Sequence, residues 1–297
     1  MAPKDKDSAL LAEVDGRTVR VTHLEKVLFP DDGITKAELL QYYLTVAPYL
    51  LPHLKGRPLT LKAFPHGING RPYYRRNLAE TTPAWVSRVD LDEGPGPVIR
   101  NTADLVWVVN LDSIELHPWL SRESDLAHPD LILFDLDPGP NLPLNRLCEA
   151  AIVVKDVLAD MGVACYAKTS GSKGIHILIG TRTDYDFEQT RSWVLAVARV
   201  LARHRPDLLT VGYARPERAN RVLLDYNQIG WGRTTASIYS VRPIKGAPVS
   251  APLTWEEIES ARIGPADITI RDMPERLAAM GDVAKGLLSS SQRLPHL

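Results

Sequence analysis

The 297-residue sequence lacks the features of secreted, membrane-spanning and zinc-binding proteins. It has two cysteines, Cys148 and Cys165, in apolar surroundings and without metal-ligand spacing, which argues against a disulfide framework and fits a reducing cytosol. No apolar run reaches the roughly 18 residues that cross a membrane, and the charged N-terminus predicts no signal peptide. From these absences we expect a cytoplasmic protein with no membrane partner.

Sequence motifs of several enzyme classes are missing as well. The stretch around Lys173 lacks the full Gly-x-x-x-x-Gly-Lys-Ser/Thr spacing, which excludes a P-loop. There is no Gly-x-Gly-x-x-Gly fingerprint of a dinucleotide-binding fold and no Gly-x-Ser-x-Gly elbow of a serine hydrolase. The histidines and cysteines do not have zinc spacing. Any phosphate or metal chemistry must therefore come from other residues.

One long interval of the chain contains no acidic residue, although the net charge of the whole chain is −1. Residues 39–79 include no Asp or Glu, and Tyr73 and Tyr74 lie directly before two arginines. The basic residues of this interval are Lys55, Arg57, Lys62, Arg71, Arg75 and Arg76. Basic side chains with aromatic neighbours predict contact with phosphates and stacking on bases. A solvated basic surface is the alternative.

An apolar run ends in two aspartates spaced two residues apart. Residues 130–139 read Asp-Leu-Ile-Leu-Phe-Asp-Leu-Asp-Pro-Gly, which predicts a buried strand that Pro-Gly terminates. Because residues i and i+2 of a strand share a face, Asp135 and Asp137 should project together. Adjacent carboxylates repel unless a proton or a cation intervenes, and hard divalent cations are their usual partners. The alternative is a strand ending in a turn, with Asp137 in an Asx-turn.

A polar turn between two predicted strands offers groups that can bind an anion. Residues 170–174 read Ser-Gly-Ser-Lys-Gly, which leaves backbone amides free to face an anion, and Lys173 adds a positive charge. His176 follows at the start of the next strand, where it could hold a phosphate or a sugar. A plain five-residue hairpin turn is the alternative.

Three further side chains have both a structural and a functional interpretation. Asp225 ends the predicted strand 221–225 and could be a third metal ligand, or it could hydrogen-bond its own turn. Arg242 ends a predicted strand over 236–241 and could fork onto a phosphate, or it could be a surface residue. His117 precedes Pro-Trp and could be structural or catalytic.

Helices and strands are mixed along the chain without strict alternation. A capping box at Thr35 predicts a helix to about residue 54, and later helices are predicted over 146–161, 186–204 and 274–287. This pattern favours an α+β fold over a doubly wound sheet. Residues 1–9 are expected to form a disordered polar tail.

Three motifs in one order and spacing match a known family: Asp-Leu-Asp at 135–137, Ser-Gly-Ser-Lys-Gly-Ile-His at 170–176, and Asp-Tyr-Asn-Gln at 225–228 followed by Tyr-Ser-Val-Arg-Pro at 239–243. The chain resembles the polymerase domain of bacterial ATP-dependent DNA ligase D, in the archaeo-eukaryotic primase superfamily. Further matches lie at 26–30, 32–36 and 114–119, so the resemblance spans roughly residues 10–290.

The resemblance implies a fold and different roles for two portions of the chain. The expected architecture is a primase-polymerase fold, in which helices flank a mixed or antiparallel central sheet, plus an N-terminal DNA-binding portion. The N-terminal portion, about residues 10–80, would contact DNA and its 5′-phosphate. The catalytic portion would comprise about residues 81–290.

The resemblance also implies a role for each matching side chain. A catalytic triad that binds Mn²⁺ or Mg²⁺ is implied at Asp135, Asp137 and Asp225. Contacts to the incoming NTP or dNTP, mostly to its triphosphate, are implied at Lys62, His117, Ser170, Ser172, Lys173, His176, Gln228 and Arg242. Contacts to DNA are implied at Lys26 and Lys36, which would grip a downstream 5′-phosphate, and at Tyr73 and Tyr74, where the family commonly has two phenylalanines that stack on template bases. The Gly-Trp-Gly-Arg stretch at 230–233 departs from the family pattern.

The implied function is template-directed nucleotide transfer by a two-metal mechanism. It would fill short gaps or extend broken DNA ends, favour ribonucleotides and act near the bacterial nucleoid. No Lys-x-Asp-Gly adenylation motif occurs, so we expect a standalone polymerase acting beside a separate ATP-dependent ligase or Ku. Two other hypotheses stay open: a catalytically weak module that binds DNA ends or gaps and recruits a ligase, and a metal-dependent hydrolase.

Overall fold

A computed structural model of the chain describes residues 9–296, so the tail expected over residues 1–9 lies, except for residue 9, outside the described residues. The strands are β1 (Leu10–Val14), β2 (Arg17–Val21), β3 (Val27–Phe29), β4 (Ile34–Thr35), β5 (Leu59–Ala63), β6 (Tyr73–Arg75), β7 (Arg88–Leu91), β8 (Gly94–Pro97), β9 (Ser113–Pro118), β10 (Leu131–Pro138), β11 (Tyr166–Thr169), β12 (Ile175–Gly180), β13 (Leu209–Thr210), β14 (Val222–Asp225) and β15 (Pro252–Leu253). The helices are α1 (Lys36–Leu54), α2 (Thr102–Asn110), α3 (Leu144–Asp160), α4 (Phe187–His204), α5 (Arg215–Arg218), α6 (Trp255–Ser260) and α7 (Met273–Met280).

The largest sheet has six strands in the order β13-β14-β10-β12-β11-β15. All its pairs are antiparallel except β13 with β14, so the sheet is mixed, as expected for the α+β fold. In β10, Phe134 faces the helices, where its ring packs edge-to-face on Trp193 of α4. Because side chains alternate along a strand, Asp135 and Asp137 project from the opposite face. The helices therefore cover one face and leave the aspartates on the other.

A second sheet joins the two predicted portions of the chain. Its strand order is β6-β5-β9, so β5 from the N-terminal portion pairs with β9 from the catalytic portion. A contiguous core of buried hydrophobic side chains connects both sheets. The proposed division near residue 80 is thus not a break in packing, and its functional meaning stays a prediction.

The first helix begins at the predicted capping box. Thr35 Oγ1 accepts a hydrogen bond from the Glu38 backbone N–H, and the Glu38 carboxylate accepts one from the Thr35 N–H, which satisfies two amides that the helix leaves free. The helix then continues through Pro48 and Pro52 to Leu54. On its buried side, the Tyr43 hydroxyl donates to the Ile114 carbonyl of β9, which ties α1 to the second sheet.

Two predicted elements differ from the structure. The strand expected over 236–241 is not formed, because Tyr239 adopts a φ of 64° and the Ser240 N–H donates to the Ser237 carbonyl, which closes a turn. The last helix, expected over 274–287, ends at Met280, because Gly281 with a φ of 67° terminates it. A separate 3-10 turn follows at Lys285–Ser289.

The helices of the fold have the length and polarity of elements that pack on a sheet. Within residues 9–296, none of them is both long enough and apolar enough to cross a bilayer.

Candidate active site

Strand pairing brings the three predicted metal ligands together. Asp135 and Asp225 are direct partners across β10 and β14, and Asp137 lies two residues further along β10. Directly opposed residues of an antiparallel pair share a face, so all three carboxylates are on the face that the helices leave free. We call Asp135, Asp137 and Asp225 the acidic cluster.

Each member of the acidic cluster has polar neighbours. Asp135 Oδ1 lies 3.4 Å from His176 Nε2. Asp137 Oδ2 lies 3.6 Å from the guanidinium of Arg218. Asp225 Oδ1 accepts hydrogen bonds from the Tyr213 hydroxyl at 2.7 Å and from the backbone N–H of residue 227 at 2.7 Å. Asp225 therefore does hydrogen-bond its own turn, and it also faces Asp135.

The electrostatics of the acidic cluster favour an added positive charge. Burial, together with the charges of Asp137 and Asp225, raises the pKa of Asp135 to about 7. Burial also raises the pKa of Asp137, against the opposing charge of Arg218. Carboxylate oxygens are ligands that Mg²⁺ and Mn²⁺ prefer. The residues fit a divalent cation, although within residues 9–296 no group of three or more His, Cys, Asp and Glu side chains is already converged on one metal position.

The polar turn beside the acidic cluster has a defined shape. Ser170 Oγ accepts hydrogen bonds from the Ser172 N–H at 3.2 Å and the Gly174 N–H at 3.0 Å, so these two amides are not free for an anion. Gly171 has a φ of 67°, and a Cβ there would lie 2.5 Å from Cγ of Arg242. Lys173 is exposed at the tip of the turn. Lys173 is therefore exposed to solvent, and the missing side chain at Gly171 lets Arg242 pack closely against the turn.

A second group of charged side chains surrounds Glu115 of β9. Glu115 is fully buried, and its Oε2 lies 2.7 Å from Lys62 Nζ and 3.5 Å from His117 Nε2, while its Oε1 lies 2.7 Å from Arg242 Nε. Burial acts to raise the pKa of Glu115, but the nearby His117 and the charge of Arg242 outweigh it, and the pKa falls to about 2. We call Lys62, His117 and Arg242, gathered on Glu115, the cationic cluster.

One cleft connects the two clusters. It has a volume of about 270 Å³ and lies between β9 and the free face of the large sheet. The predicted site residues that line it are His117, Asp135, Asp137, Ser170, Ser172, Lys173, His176, Gln228 and Arg242. Asp135 and Asp137 therefore form an acidic end of the cleft, and His117 and Arg242 form a basic end. Asp225 and Lys62 do not line the cleft but adjoin these side chains through Asp135 and Glu115. The arrangement suits a metal-bound polyphosphate.

Sequence comparison identifies the family of the chain. The sequence profile of the LigD primase-polymerase domain matches residues 35–284, which is most of the chain. The chain belongs to this family. A primase-polymerase domain is a nucleotidyltransferase, so the chain is an enzyme of that class, and the fold and family that the motifs predicted are confirmed.

Several curated relatives of this family are similar to the chain. The multifunctional non-homologous end joining protein LigD of Mycolicibacterium smegmatis is 33% identical over 271 residues, which cover 89% of this chain and 35% of the relative. LigD of Pseudomonas aeruginosa is 32% identical over 87% of this chain and 31% of its own length. LigD of Bacillus subtilis, a bifunctional end joining protein, is 30% identical over 89% of this chain and 43% of its own length. The chain thus spans about a third of the length of the curated relatives it matches.

A solved structure of the same family has the same fold. The polymerase domain from Mycobacterium tuberculosis Ligase D, in complex with DNA, superposes with a TM-score of 0.87 at 30% identity. The match covers 92% of this chain and 99% of that domain.

The remaining predicted contacts of this primase-polymerase domain lie outside the cleft. Lys26 Nζ lies 2.6 Å from Asp112 Oδ2, and Lys36 Nζ lies 3.4 Å from Asp112 Oδ1 and donates to the carbonyl of Asn110 at 2.5 Å. The Lys26 side chain keeps 26% exposure, whereas Lys36 keeps 2%. Lys26 can therefore touch a phosphate directly, while Lys36 adds positive charge from beneath. Both roles stay predictions.

The two tyrosines are the most exposed of the predicted DNA contacts. Tyr73 and Tyr74 are 53% and 55% exposed on β6. The Lys62 ammonium lies 5.7 Å from the centre of the Tyr74 ring, and the Arg75 guanidinium lies 5.6 Å from that of Tyr73. The rings are available for stacking and lie beside positive charge, and their contact with DNA stays a prediction.

Sequence reasoning assigned no role to four residues of the site. Glu115 and Asp112 hold predicted phosphate contacts, and Lys168 is buried beneath the cleft, where its ammonium donates to Ser250 Oγ at 2.6 Å. Burial and the charge of Arg242 together lower the pKa of Lys168 to about 7. Trp231, the departure from the family pattern, is exposed and packs edge-to-face on Trp119. The alternation of Glu115 and His117 along one strand was the available signal for Glu115.

Proposed function

We propose that this primase-polymerase domain is a template-directed nucleotidyltransferase that adds nucleotides to a primer 3′-OH across short gaps or at broken ends in DNA repair. The observation that carries the proposal is the cleft in which the acidic cluster faces the cationic cluster. A triphosphate needs cations along its length and carboxylate-bound metal at its reacting end. Its relatives are named for non-homologous end joining, which supports the repair context.

The reaction follows from the charges of the cleft. The primer 3′-oxygen attacks the α-phosphorus of the nucleotide, a new phosphodiester bond forms, the α–β bond breaks, and pyrophosphate leaves. Lys62, His117 and Arg242 bind the triphosphate and stabilise the negative charge that the leaving pyrophosphate carries. The 170–174 turn and Gln228 orient the nucleotide. Phosphoryl transfer asks mainly for such positioning and charge stabilisation from a protein.

The acidic cluster supplies the metal-binding part of the site. Asp135, Asp137 and Asp225 would hold a pair of divalent cations, Mn²⁺ or Mg²⁺, whose chemistry when bound is to lower the pKa of the primer hydroxyl and to neutralise charge on the phosphates. The raised pKa of Asp135 supports this assignment, because a nearby cation relieves the repulsion among the three carboxylates.

The DNA would lie along the surfaces beside the cleft. Asp137 and Lys173 also line an open groove of about 800 Å³ together with Tyr213, Arg215 and Arg218, which offers room and positive charge for a DNA strand. On the other side, Tyr73 and Tyr74 would stack on template bases, and Lys26 with Lys36 would bind the downstream 5′-phosphate. Removal of that phosphate should then weaken binding to gapped DNA markedly.

Primer extension on a short-gapped duplex tests the proposal. The downstream strand carries a 5′-phosphate, and NTPs are compared with dNTPs in Mn²⁺ and in Mg²⁺. We expect extension that favours NTPs and that weakens without the 5′-phosphate. Retention of the duplex without extension would instead indicate the ligase-recruiting module, and degradation would indicate a hydrolase.

The cellular setting follows from the proposed reaction. A filled gap leaves a nick, so the enzyme needs a ligase, and we propose that an ATP-dependent ligase or Ku acts beside it. Its location would then be the bacterial cytoplasm, at the nucleoid. Co-purification from cells with damaged DNA, followed by identification of the bound proteins, tests both points.

A further inference from the structure

Two carboxylates at the start of β9, one just before the strand and one within it, each contact the positive charges of a different proposed phosphate site. Asp112 directly precedes β9, and its side chain lies 2.6 Å from Lys26 and 3.4 Å from Lys36. Glu115 is the third residue of β9 and holds the cationic cluster. The first pair of lysines is assigned above to the 5′-phosphate of DNA, and the cationic cluster is assigned to the nucleotide.

We propose that Asp112 and Glu115 are positioning residues, each of which orders the cations of one phosphate site so that the two sites can be impaired separately. The inference rests on the proposed function. Neither carboxylate needs to touch DNA or nucleotide, because both would act through the cations that they hold. Since only two residues separate the carboxylates along the chain, the two sets of basic side chains are also fixed relative to each other.

The geometry of Glu115 supports a positioning role. The side chains that contact Glu115 come from three separate parts of the chain: Lys62 from β5, His117 from β9 and Arg242 from the segment after the 237–240 turn. Lys62 and Arg242 are long side chains that lose much rotamer freedom when a phosphate holds them. A fully buried carboxylate that contacts both orders them before the nucleotide arrives. Binding then loses less side-chain entropy.

Asp112 contacts two basic side chains in a similar way, at a different place in the fold. Lys26 and Lys36 flank the paired strands β3 and β4, and the Lys36 N–H donates to the Lys26 carbonyl at 2.8 Å, so two like charges are brought close together. Asp112, with a side chain 15% exposed, contacts both. Its backbone φ of 61° turns the chain just before β9. The carboxylate thereby neutralises part of the charge that the buried Lys36 would otherwise carry alone.

Two isosteric variants of the full chain test the inference. Glu115→Gln and Asp112→Asn remove each charge and keep the shape. Two affinities are measured by fluorescence anisotropy: that for a fluorescent ATP analogue with Mn²⁺, and the ratio of affinities for a gapped duplex with and without the 5′-phosphate. We expect Glu115→Gln to weaken nucleotide binding at least tenfold and to leave the phosphate ratio within twofold of wild type. We expect Asp112→Asn to bring that ratio close to one and to leave nucleotide binding within twofold.

A matched control separates positioning from simple loss of a salt bridge. Glu257 holds Arg276 at 2.5 Å in a partly buried pair that does not line the cleft. Glu257→Gln should lower the melting temperature and change neither affinity. If Glu115→Gln does not fold, Glu115→Asp keeps the charge but ends one methylene short of its partners, and nucleotide binding should weaken several-fold.

The outcomes distinguish this inference from the proposed function. Parallel loss of both affinities in either variant, or unchanged or tighter nucleotide binding in Glu115→Gln or in folded Glu115→Asp, would overturn the positioning role. If the wild-type protein binds the nucleotide, discriminates the 5′-phosphate and extends the primer, the proposed function stands whatever the variants do. If the wild-type protein does none of these, the proposed function fails and the inference fails with it.

Discussion

The two ends of the cleft differ in how their buried charges are balanced. In the acidic cluster, carboxylates face one another, and burial with mutual repulsion raises the pKa of Asp135 to about 7. In the cationic cluster, a single carboxylate contacts Lys62, Arg242 and His117, and the pKa of Glu115 falls to about 2 although burial opposes this. At the acidic end the carboxylates outweigh the nearby charge of Arg218, whereas the other end contains its own counterion.

This difference indicates what each end is suited to bind. Unneutralised carboxylates attract a divalent cation and are expected to destabilise the protein without one. A carboxylate surrounded by cations leaves a net positive charge that attracts an anion while it keeps the cations in place. A metal-bound triphosphate satisfies both ends at once, because it brings the missing cations to one and the missing anions to the other.

The largest expected effect comes from removing charge at the acidic end. Asp225→Asn and Asp135→Asn should each lower primer extension by about 1,000-fold or more, because catalysis by carboxylate-held metal is lost. Binding of gapped DNA should stay within about threefold of wild type, since the tyrosines and Lys26 are unchanged. Extension is measured in single-turnover reactions with Mn²⁺, and binding by anisotropy.

The control for these variants is an exposed carboxylate away from the cleft. Asp184→Asn changes the net charge by the same amount and should leave extension unchanged, because Asp184 lies on the surface and does not line the cleft. Extension at more than a tenth of the wild-type rate in either cluster variant would show that the acidic end is not the metal site.

A smaller effect, on nucleotide binding, is expected at Gly171, where the 170–174 turn lies against Arg242 of the cationic cluster. Gly171→Ala adds a Cβ that would lie 2.5 Å from Cγ of Arg242 and 2.9 Å from the Ser250 nitrogen, at a φ of 67° that disfavours alanine. Arg242 must then move away from Glu115, and we expect KM for the nucleotide to rise about 30-fold with a smaller change in kcat. Steady-state kinetics on the gapped duplex measures both.

A glycine away from the cleft gives the control for this strain. Gly162 also has a positive φ, of 73°, but a Cβ added there would have no other atom within 4 Å, so Gly162→Ala adds backbone strain without a clash. It should lower stability slightly and leave KM unchanged. A normal KM in Gly171→Ala would mean that the position of Arg242 does not govern nucleotide binding.

Much of the fold was predictable because its signals are local. The capping box at Thr35 marks the start of α1, and the alternation around Asp135 and Asp137 gives the strand and the face from which they project. The predicted strand over 236–241 was wrong because a positive φ at Tyr239, a residue that rarely adopts one, depends on tertiary contacts.

The site was predictable only in part, for the same reason. The order of the motifs indicated which side chains belong to it, but not which of them contact one another. The partners of Glu115 come from β5 and from the segment after Val241, and only the pairing of distant parts of the chain brings them together. The burial of Lys36 likewise depends on Asn110 and Asp112, which are more than seventy residues away in sequence.

The smallest expected effect is on the free energy of unfolding. Removing a carboxylate charge should raise it at the acidic end and lower it at the cationic end. Because the pKa of Asp135 in the folded protein, about 7, exceeds its ordinary value of 3.8, the folded state binds this proton more tightly than the unfolded state. Stability therefore falls as pH rises from about 4 to about 7. In a metal chelator at pH 8, Asp135→Asn should raise the free energy of unfolding by about 2 kcal/mol and Tm by about 5 °C, and the gain should vanish near pH 4.

Glu115→Gln should instead lower the free energy of unfolding, because it leaves buried cations without their counterion. The pKa of Glu115 lies below its ordinary value of 4.5, so its contribution is fully present above about pH 5 and is lost as pH falls toward 2. At pH 8 its Tm should therefore fall. Adding Mn²⁺ should raise Tm of the wild type more than that of Asp135→Asn. If Asp135→Asn also lowers Tm in chelator, the charge of Asp135 does not destabilise the folded protein, and the contrast between the two ends of the cleft is wrong.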